Sequence, residues 1–273
     1  MSLAPICNFW KEAFMNLEFI VMGCGNSFGT PGIGNKWGAC DPLEPRNCRT
    51  RPSVCIRSAT TTIIIDTGPD FREQANRHNI ERVDAVIYTH SHGDHIHGID
   101  ELRAYRADQG SLIDIYGDVE TMNEIEERFS YLFTEKSRFY PKVVSSHVID
   151  DGQFNQPMTI GDITFIPFQQ DHGTCNSIGI RAGDLAYSTD MVDLDQQALE
   201  VLTGIKTWIV DGAGYQGQNN YVHATLQRVY DLNEVIKAER VFLTHLPNFM
   251  DYRTVKEELP DGYDLCFDGI NFL

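Results

Sequence analysis

Between Tyr88 and His97 the chain reads Tyr-Thr-His-Ser-His-Gly-Asp-His-Ile-His, which places four histidines and an aspartate in ten residues. Imidazole nitrogen and carboxylate oxygen together suit divalent ions such as zinc, manganese or iron, and this stretch holds more donors than one tetrahedral ion uses. Two ions are therefore expected. A merely solvated turn would have to collect these five groups for no chemical reason.

Further donors stand where other β-prone runs end. His172 follows the run Ile163 to Phe168, Asp190 follows Leu185 to Thr189, and His245 follows Val241 to Thr244. One ion can then take His90, His92 and His172, and the other Asp94, His95 and His245, with Asp190 bridging them. A lone buried histidine is more often a core residue; the matching position at a strand exit is what argues for ligation. His97, two residues past His95, falls outside the set, as a rim group or an exposed histidine. His147, among serines, reads as a surface histidine.

The elements that must carry these groups follow from hydrophobic patterning. Leu17 to Met22 reads as a strand running into a glycine-rich turn, Gly23 to Gly32, that either reverses the chain or lines the site. Val54 to Arg57 and Thr61 to Ile65 form a hairpin whose second strand ends at Asp66. Phe71 to His78 is helical, and Val83 to Thr89 is the buried strand that delivers His90. Gly98 to Tyr105 starts a helix with Asp100 as its cap, Ile113 to Gly117 is a strand, and Asp118 to Leu132 an amphipathic helix. Val143-Val144 and Val148-Ile149 read as short edge strands. Ile178 to Arg181 pairs with Leu185 to Thr189, Trp208 to Gly212 is another buried strand, and about Ala224 to Ala238 is a helix. Leu265 to Gly269 closes the chain as a strand or turn. Strand-to-ligand exits in both halves imply one site built by one domain with two similar halves, residues 17–273. Residues 1–16 form an N-terminal extension to which no function is assigned.

Composition bounds the partners. The 273 residues are 42% hydrophobic, enough for a substantial core, and carry 22 Lys and Arg against 39 Asp and Glu, a net charge of −17. Such a surface repels long nucleic acid. No run approaches the roughly 20 apolar residues that span a bilayer. The seven cysteines make no regular framework, and no leader is discernible, so a soluble, cytoplasmic protein is expected. Cys40, Cys48 and Cys55 lack zinc-knuckle spacing and read as free thiols.

The sequence His90-Ser91-His92-Gly93-Asp94-His95 resembles the His-x-His-x-Asp-His signature of the metallo-β-lactamase superfamily. Within it the chain is most similar to the PhnP-type phosphodiesterase branch, related to the phosphoribosyl cyclic phosphodiesterase. The likeness extends from Leu17 to the C-terminus through Gly23-Cys24-Gly25-Asn26-Ser27, Asp66-Thr67-Gly68, Ser188-Thr189-Asp190 and Leu243-Thr244-His245-Leu246. It implies an α+β fold, an αββα sandwich of two mixed sheets flanked by helices with the metals at one edge. It also implies that Asp66 orients a ligand histidine or its loop, the alternative being a strand-end cap, and that His223 lies beside the substrate phosphate, the alternative being a surface histidine at a helix start. Some relatives hold a structural zinc through clustered cysteines and a histidine three residues after the last ligand. Here Asn248 stands at that place and only Cys40 is near, so no third metal is expected.

The implied activity is hydrolysis of a small, possibly cyclic phosphodiester, such as phosphoribosyl cyclic phosphate or a cyclic nucleotide, with two divalent ions, zinc or manganese. Asp94 would hold or receive the proton of the attacking water, and His223 would bind substrate and protonate the leaving group. A homodimer accords with the family. The alternatives are a tRNase Z-like endonuclease, disfavoured by the charge and the lack of a Gly/Lys-rich arm; a thioester or lactam hydrolase; and, from another class, a nucleotide-binding sensor on a hydrolase scaffold.

Overall fold

The computed structural model describes residues 17–135, 137, 140–217 and 221–272. The proposed extension, residues 1–16, lies outside the described residues.

Two seven-stranded sheets repeat one pairing scheme. The first runs β14 (Ile270–Phe272), β1 (Glu18–Gly23), β2 (Ser53–Arg57), β3 (Thr62–Ile65), β4 (Ala85–Ile87), β5 (Ile113–Gly117), β6 (Val144–Val148). The second runs β13 (Tyr263–Leu265), β12 (Arg240–Thr244), β11 (Thr207–Asp211), β10 (Leu185–Ser188), β9 (Asn176–Ala182), β8 (Ile163–Asp171), β7 (Met158–Ile160). In each sheet antiparallel pairs give way to parallel ones, after β3 in the first and after β10 in the second. Parallel neighbours end at one edge, so the ends of β3 and β4, and of β10, β11 and β12, each form one rim.

Apolar alternation decides which layers meet. Phe19, Val21, Val54, Ile56, Ile63 and Ile65 of the first sheet pack into one buried cluster with Phe165, Ile178, Ile180, Trp208 and Leu243 of the second. The opposite face of the first sheet, with Ile20, Met22, Ile64, Val86 and Ile115, packs on α1 (Phe71–Arg77), α3 (Leu102–Gln109) and α4 (Val119–Arg128) through Phe71, Leu102 and Ile125. The second sheet is covered by α5 (Gln196–Leu202) and α6 (Leu226–Ile236) through Ala198, Leu202, Val229, Leu232 and Ile236. This is the expected sandwich of two mixed sheets flanked by helices.

Several local expectations are corrected. Val143-Val144 and Val148-Ile149 are not separate strands: Val144–Val148 is one edge strand, with Ser145, Ser146 and His147 inside it. Asp100 does not cap a helix; it lies in a 3₁₀ turn, Ile99–Glu101, and receives Tyr131 and Arg103. The C-terminal run is two strands in different sheets. The turn between them lets β13 extend the second sheet while β14 returns to pair Phe272 with Phe19. β7, α5 and α7 (Tyr252–Glu258) were not read from the sequence, since each is short and polar on its exposed side.

Candidate metal centre

All the donor groups stand on the common rim. β4 ends at Ile87, and three residues later His90 begins the loop that closes into the one-turn helix α2 (Gly93–Ile96). His172 directly follows β8, Asp190 lies two residues past β10, Asp211 is the last residue of β11, and His245 directly follows β12. The signature loop is held close to the β3 exit. A Cβ added at Gly68 would stand 2.2 Å from the Asp94 carbonyl oxygen, so only glycine admits this approach.

Three groups at the site adopt left-handed backbone: Asp66 (φ 62°), Asp190 (φ 48°) and His245 (φ 56°). Non-glycine residues adopt this region at a cost of about 1–3 kcal/mol, which the surrounding hydrogen bonds must hold. Asp66, fully buried, accepts from Thr89 N and Thr89 Oγ1, both at 2.8 Å, and its Oδ2 lies 2.7 Å from His95 Nδ1. Asp190 accepts from Thr189 Oγ1 at 2.8 Å.

The side chains converge. His90 Nε2 lies 2.9 Å from His92 Nδ1, and the ring centroids of His90 and His172 are 5.0 Å apart. Asp190 is central, within 3.1 Å of His95 Nε2, 3.5 Å of His245 Nε2 and 3.6 Å of His172 Nε2. Asp94 Oδ2 lies 3.4 Å from both His95 Nε2 and His245 Nε2. Ligand atoms of His90, His92 and His172 lie within 4.8 Å of one another, as do those of Asp94, His95 and His245, and of His90, His95 and Asp190. The geometry therefore brings together all seven residues singled out as ligands. His97 belongs to no such group and packs near Phe129. His147 stacks on Tyr116, 41% of its side chain exposed, and bonds Asp114 at 2.9 Å.

The chemistry of the set fits a cation. Burial pushes His90, His92 and His172 below the usual imidazole range, leaving neutral rings with lone pairs. Asp94 and Asp190, although buried, are held well below the usual carboxylate range by the facing imidazoles, chiefly His95 for Asp94 and His245 for Asp190. His95 is pushed down by burial yet drawn far up by Asp94, Asp190 and Asp66, a concentration of negative charge that a cation would also satisfy. His95 Nε2 and His245 Nδ1 are buried without a hydrogen bond. Among the described residues no group of three close ligands includes a cysteine; Cys40 Sγ instead faces the Met250 carbonyl at 3.4 Å, and the Asn248 amide donates to Lys36 O at 3.4 Å.

His223 stands at the mouth, its side chain 17% exposed, with Nδ1 2.6 Å from Asp211 Oδ2 and 3.9 Å from Asp190 Oδ1. Its ring is 5.3 Å from that of His172 and 5.0 Å from that of His245. Burial pushes its affinity for a proton down, but Asp211, then Asp190 and Asp94, raise it to about 9. Asp211 is fully buried and accepts from Ala213 N at 2.8 Å and Met191 N at 3.1 Å. Sequence reasoning passed over Asp211. The available signal was its place at the end of a buried strand, close to where Asp66 and Asp190 stand on their own strands.

Comparison with known proteins gives a consistent family. The beta-lactamase superfamily domain matches residues 61–246. A solved diphosphatase from the PhnP family superposes with a TM-score of 0.83 at 30% identity, covering 94% of this chain and 97% of that one. Human tRNase Z, short form, shares the fold at a TM-score of 0.66 and 17% identity, covering 94% and 98%. A curated relative, an octanoyltransferase of Porphyromonas gingivalis, is 28% identical over 256 residues, 93% of this chain; the chain spans only 51% of that protein.

Proposed function

From the premise that this chain belongs to the metallo-β-lactamase superfamily and to its PhnP branch, we propose that it is a dinuclear metal-dependent phosphodiesterase acting on a small phosphodiester. The observation that carries the reading is His223 beside the donor cluster, backed at 2.6 Å by the buried carboxylate of Asp211.

In this reading His90, His92 and His172 would hold one ion and Asp94, His95 and His245 the other, with Asp190 available to both. Two bound divalent cations supply Lewis acidity toward a phosphoryl oxygen and a lowered pKa for bound water. The chain's own contribution is positional and protic. Asp66 fixes the His95 ring through Nδ1, and the Val222 carbonyl fixes His172 through Nδ1 at 2.6 Å. Asp94, an anion beside His95 and His245, would accept a hydrogen bond from an attacking water. His223, kept protonated by Asp211, gives its proton to the departing alkoxide, a strong base that leaves poorly without one.

That proton separates the candidate reactions. The 30%-identical relative is named a diphosphatase, and a phosphate leaving group needs little protonation, whereas the alkoxide of a phosphodiester needs much. A proton held on His223 by Asp211, 2.6 Å away, would favour the ester. The acyl transfer in the Porphyromonas protein's name belongs to a protein about twice as long as the match, of which this chain spans 51%. The endonuclease reading meets the −17 charge, which opposes a polyanion. No helix among the described residues is long and apolar enough to cross a membrane.

The test is a substrate panel on metal-quantified protein: bis(p-nitrophenyl) phosphate, 2′,3′-cyclic nucleotides, phosphoribosyl cyclic phosphate, a dinucleoside diphosphate and pre-tRNA. Turnover of small diesters above the others supports the reading. Preference for the dinucleoside diphosphate or pre-tRNA replaces it, and ligand binding without turnover in metal-replete protein restores the sensor.

A further inference from the structure

We infer that Arg49, anchored by Asn47 and Asp251, is the positioning residue that aims His245 into the donor set. The inference rests on the reading of His245 as a metal ligand and adds to it the group that sets the ligand's direction.

His245 differs from its neighbours in how its ring is held. His95 and His172 have their Nδ1 atoms engaged by Asp66 and by the Val222 carbonyl, and His90 Nδ1 lies 3.0 Å from Thr89 Oγ1. His245 Nδ1 is buried and has no hydrogen bond. Apart from the contact of its Nε2 with Asp94 Oδ2 at 3.4 Å, its ring takes its direction from the main chain, which is left-handed at φ 56°. Such a conformation persists only where both flanks are fixed.

On the strand side Gly212 N donates to Thr244 O at 2.8 Å. Beyond His245, Leu246 N donates to Cys24 O at 2.8 Å, Leu246 O accepts from Asn26 N at 3.2 Å and Asn248 O from Ala39 N at 2.9 Å, while the carbonyls of Pro247 and Met250 are gripped by one side chain. Arg49 donates from Nη1 to Pro247 O at 3.3 Å and from Nη2 to Met250 O at 2.8 Å. Its other contacts are Asn47 Oδ1 at 3.0 Å, Arg46 O at 3.3 Å and Cys40 Sγ at 4.0 Å. Asn47, itself fully buried, accepts from Tyr252 N at 2.8 Å and donates to Asp251 Oδ2 at 2.7 Å. The segment before β2 is thus strapped across the turn that follows His245.

Arg49 is 2% exposed, and none of these acceptors is a carboxylate. Burying a cation without a counter-charge is expensive, so apolar packing would serve mere cohesion better. A planar fork with several fixed donors does what packing does not: it sets the positions of two carbonyls relative to each other. Lysine, a compact charge with rotatable donors, cannot reproduce that.

The experiment compares wild-type protein with Arg49→Lys, Arg49→Met and Asn47→Ala after chelator stripping. Each is titrated with Co(II), followed by visible absorption, with circular dichroism and thermal unfolding to establish the fold. Positioning predicts folded variants in which one cobalt site binds 10–100-fold more weakly with altered bands, while the other keeps its affinity. His245→Ala should remove the same site, which identifies it. Wild-type affinity and spectrum in a folded Arg49→Lys or Arg49→Met protein overturns the inference. If neither folds, Asn47→Ala, which keeps the cation and removes its anchor, decides by the same criterion. Equal weakening of both sites also overturns it, because that marks general loosening. A wild-type protein that binds no cobalt sinks the metal reading and this inference together, whereas a binding wild type with unaffected variants sinks this inference alone.

Discussion

Asp211 Oδ2 and His223 Nδ1 stand 2.6 Å apart, the carboxylate fully buried at the end of β11 and the imidazole at the mouth of the donor cluster. In the proposed reading this pair divides the work of the site: His223 would supply a proton while the seven converging donors would bind cations. Replacing His223 by Ala should therefore lower kcat by about 10²–10⁴-fold for an alkyl phosphodiester while metal content stays full. The loss should shrink for bis(p-nitrophenyl) phosphate, whose leaving group needs no proton. Equal losses on both substrates would remove His223 from leaving-group protonation.

Replacing Asp211 by Asn tests the same pair through pH. A histidine raised to about 9 stays protonated below that value, and activity that needs its proton falls as pH rises through it. Cations at the neighbouring donors oppose the proton, so the basic limb of the wild-type kcat profile is expected below 9. Without the Asp211 charge the limb should move to still lower pH, with the acidic limb in place. An unmoved basic limb would show that Asp211 does not set the protonation of His223.

The sequence exposed the first half of the site because His90, His92, Asp94 and His95 are contiguous and their chemistry is visible in a six-residue window. His172, Asp190 and His245 were legible by their place after apolar runs, which is the rule of this fold: β8, β10 and β12 all deliver side chains to one rim. Asp211 obeys that rule and was still missed, since an acid ending a strand has many ordinary uses. The strap through Asn47, Arg49 and Asp251 was out of reach in principle. Its bonds join residues about 200 positions apart, and nothing in local spacing encodes them. The same holds for β14, whose pairing with β1 joins the two ends of the described chain.

Asp190→Ala should act on the metals rather than on protonation. Its carboxylate is the group that reaches His95, His172 and His245 together, so its loss removes the donor shared by both triads. Bound metal, measured by elemental analysis after gel filtration, should fall from two equivalents toward one or none, and kcat should fall with it. Retention of both ions would refute a bridging role.

The segment that carries the strap also holds a buried carboxylate whose effect on stability needs no metal. Glu44 is 2% exposed, and its carboxylate meets Arg46 Nε at 2.7 Å and Arg253 Nε at 2.7 Å. The hydrogen bond from Arg46 outweighs burial and holds Glu44 at about 2, against an ordinary value of 4.5. A carboxylate depressed in the folded state contributes stability that is complete above its unfolded value and disappears as pH falls through its folded one. Wild-type protein should therefore exceed Glu44→Gln in urea midpoint at pH 7, and the difference should close between about pH 4.5 and pH 2. Because the same segment carries Asn47 and Arg49, Glu44→Gln should also loosen the turn after His245. Urea midpoints of the two proteins that run parallel across this pH range would show that the ionised Glu44 does not stabilise the strap.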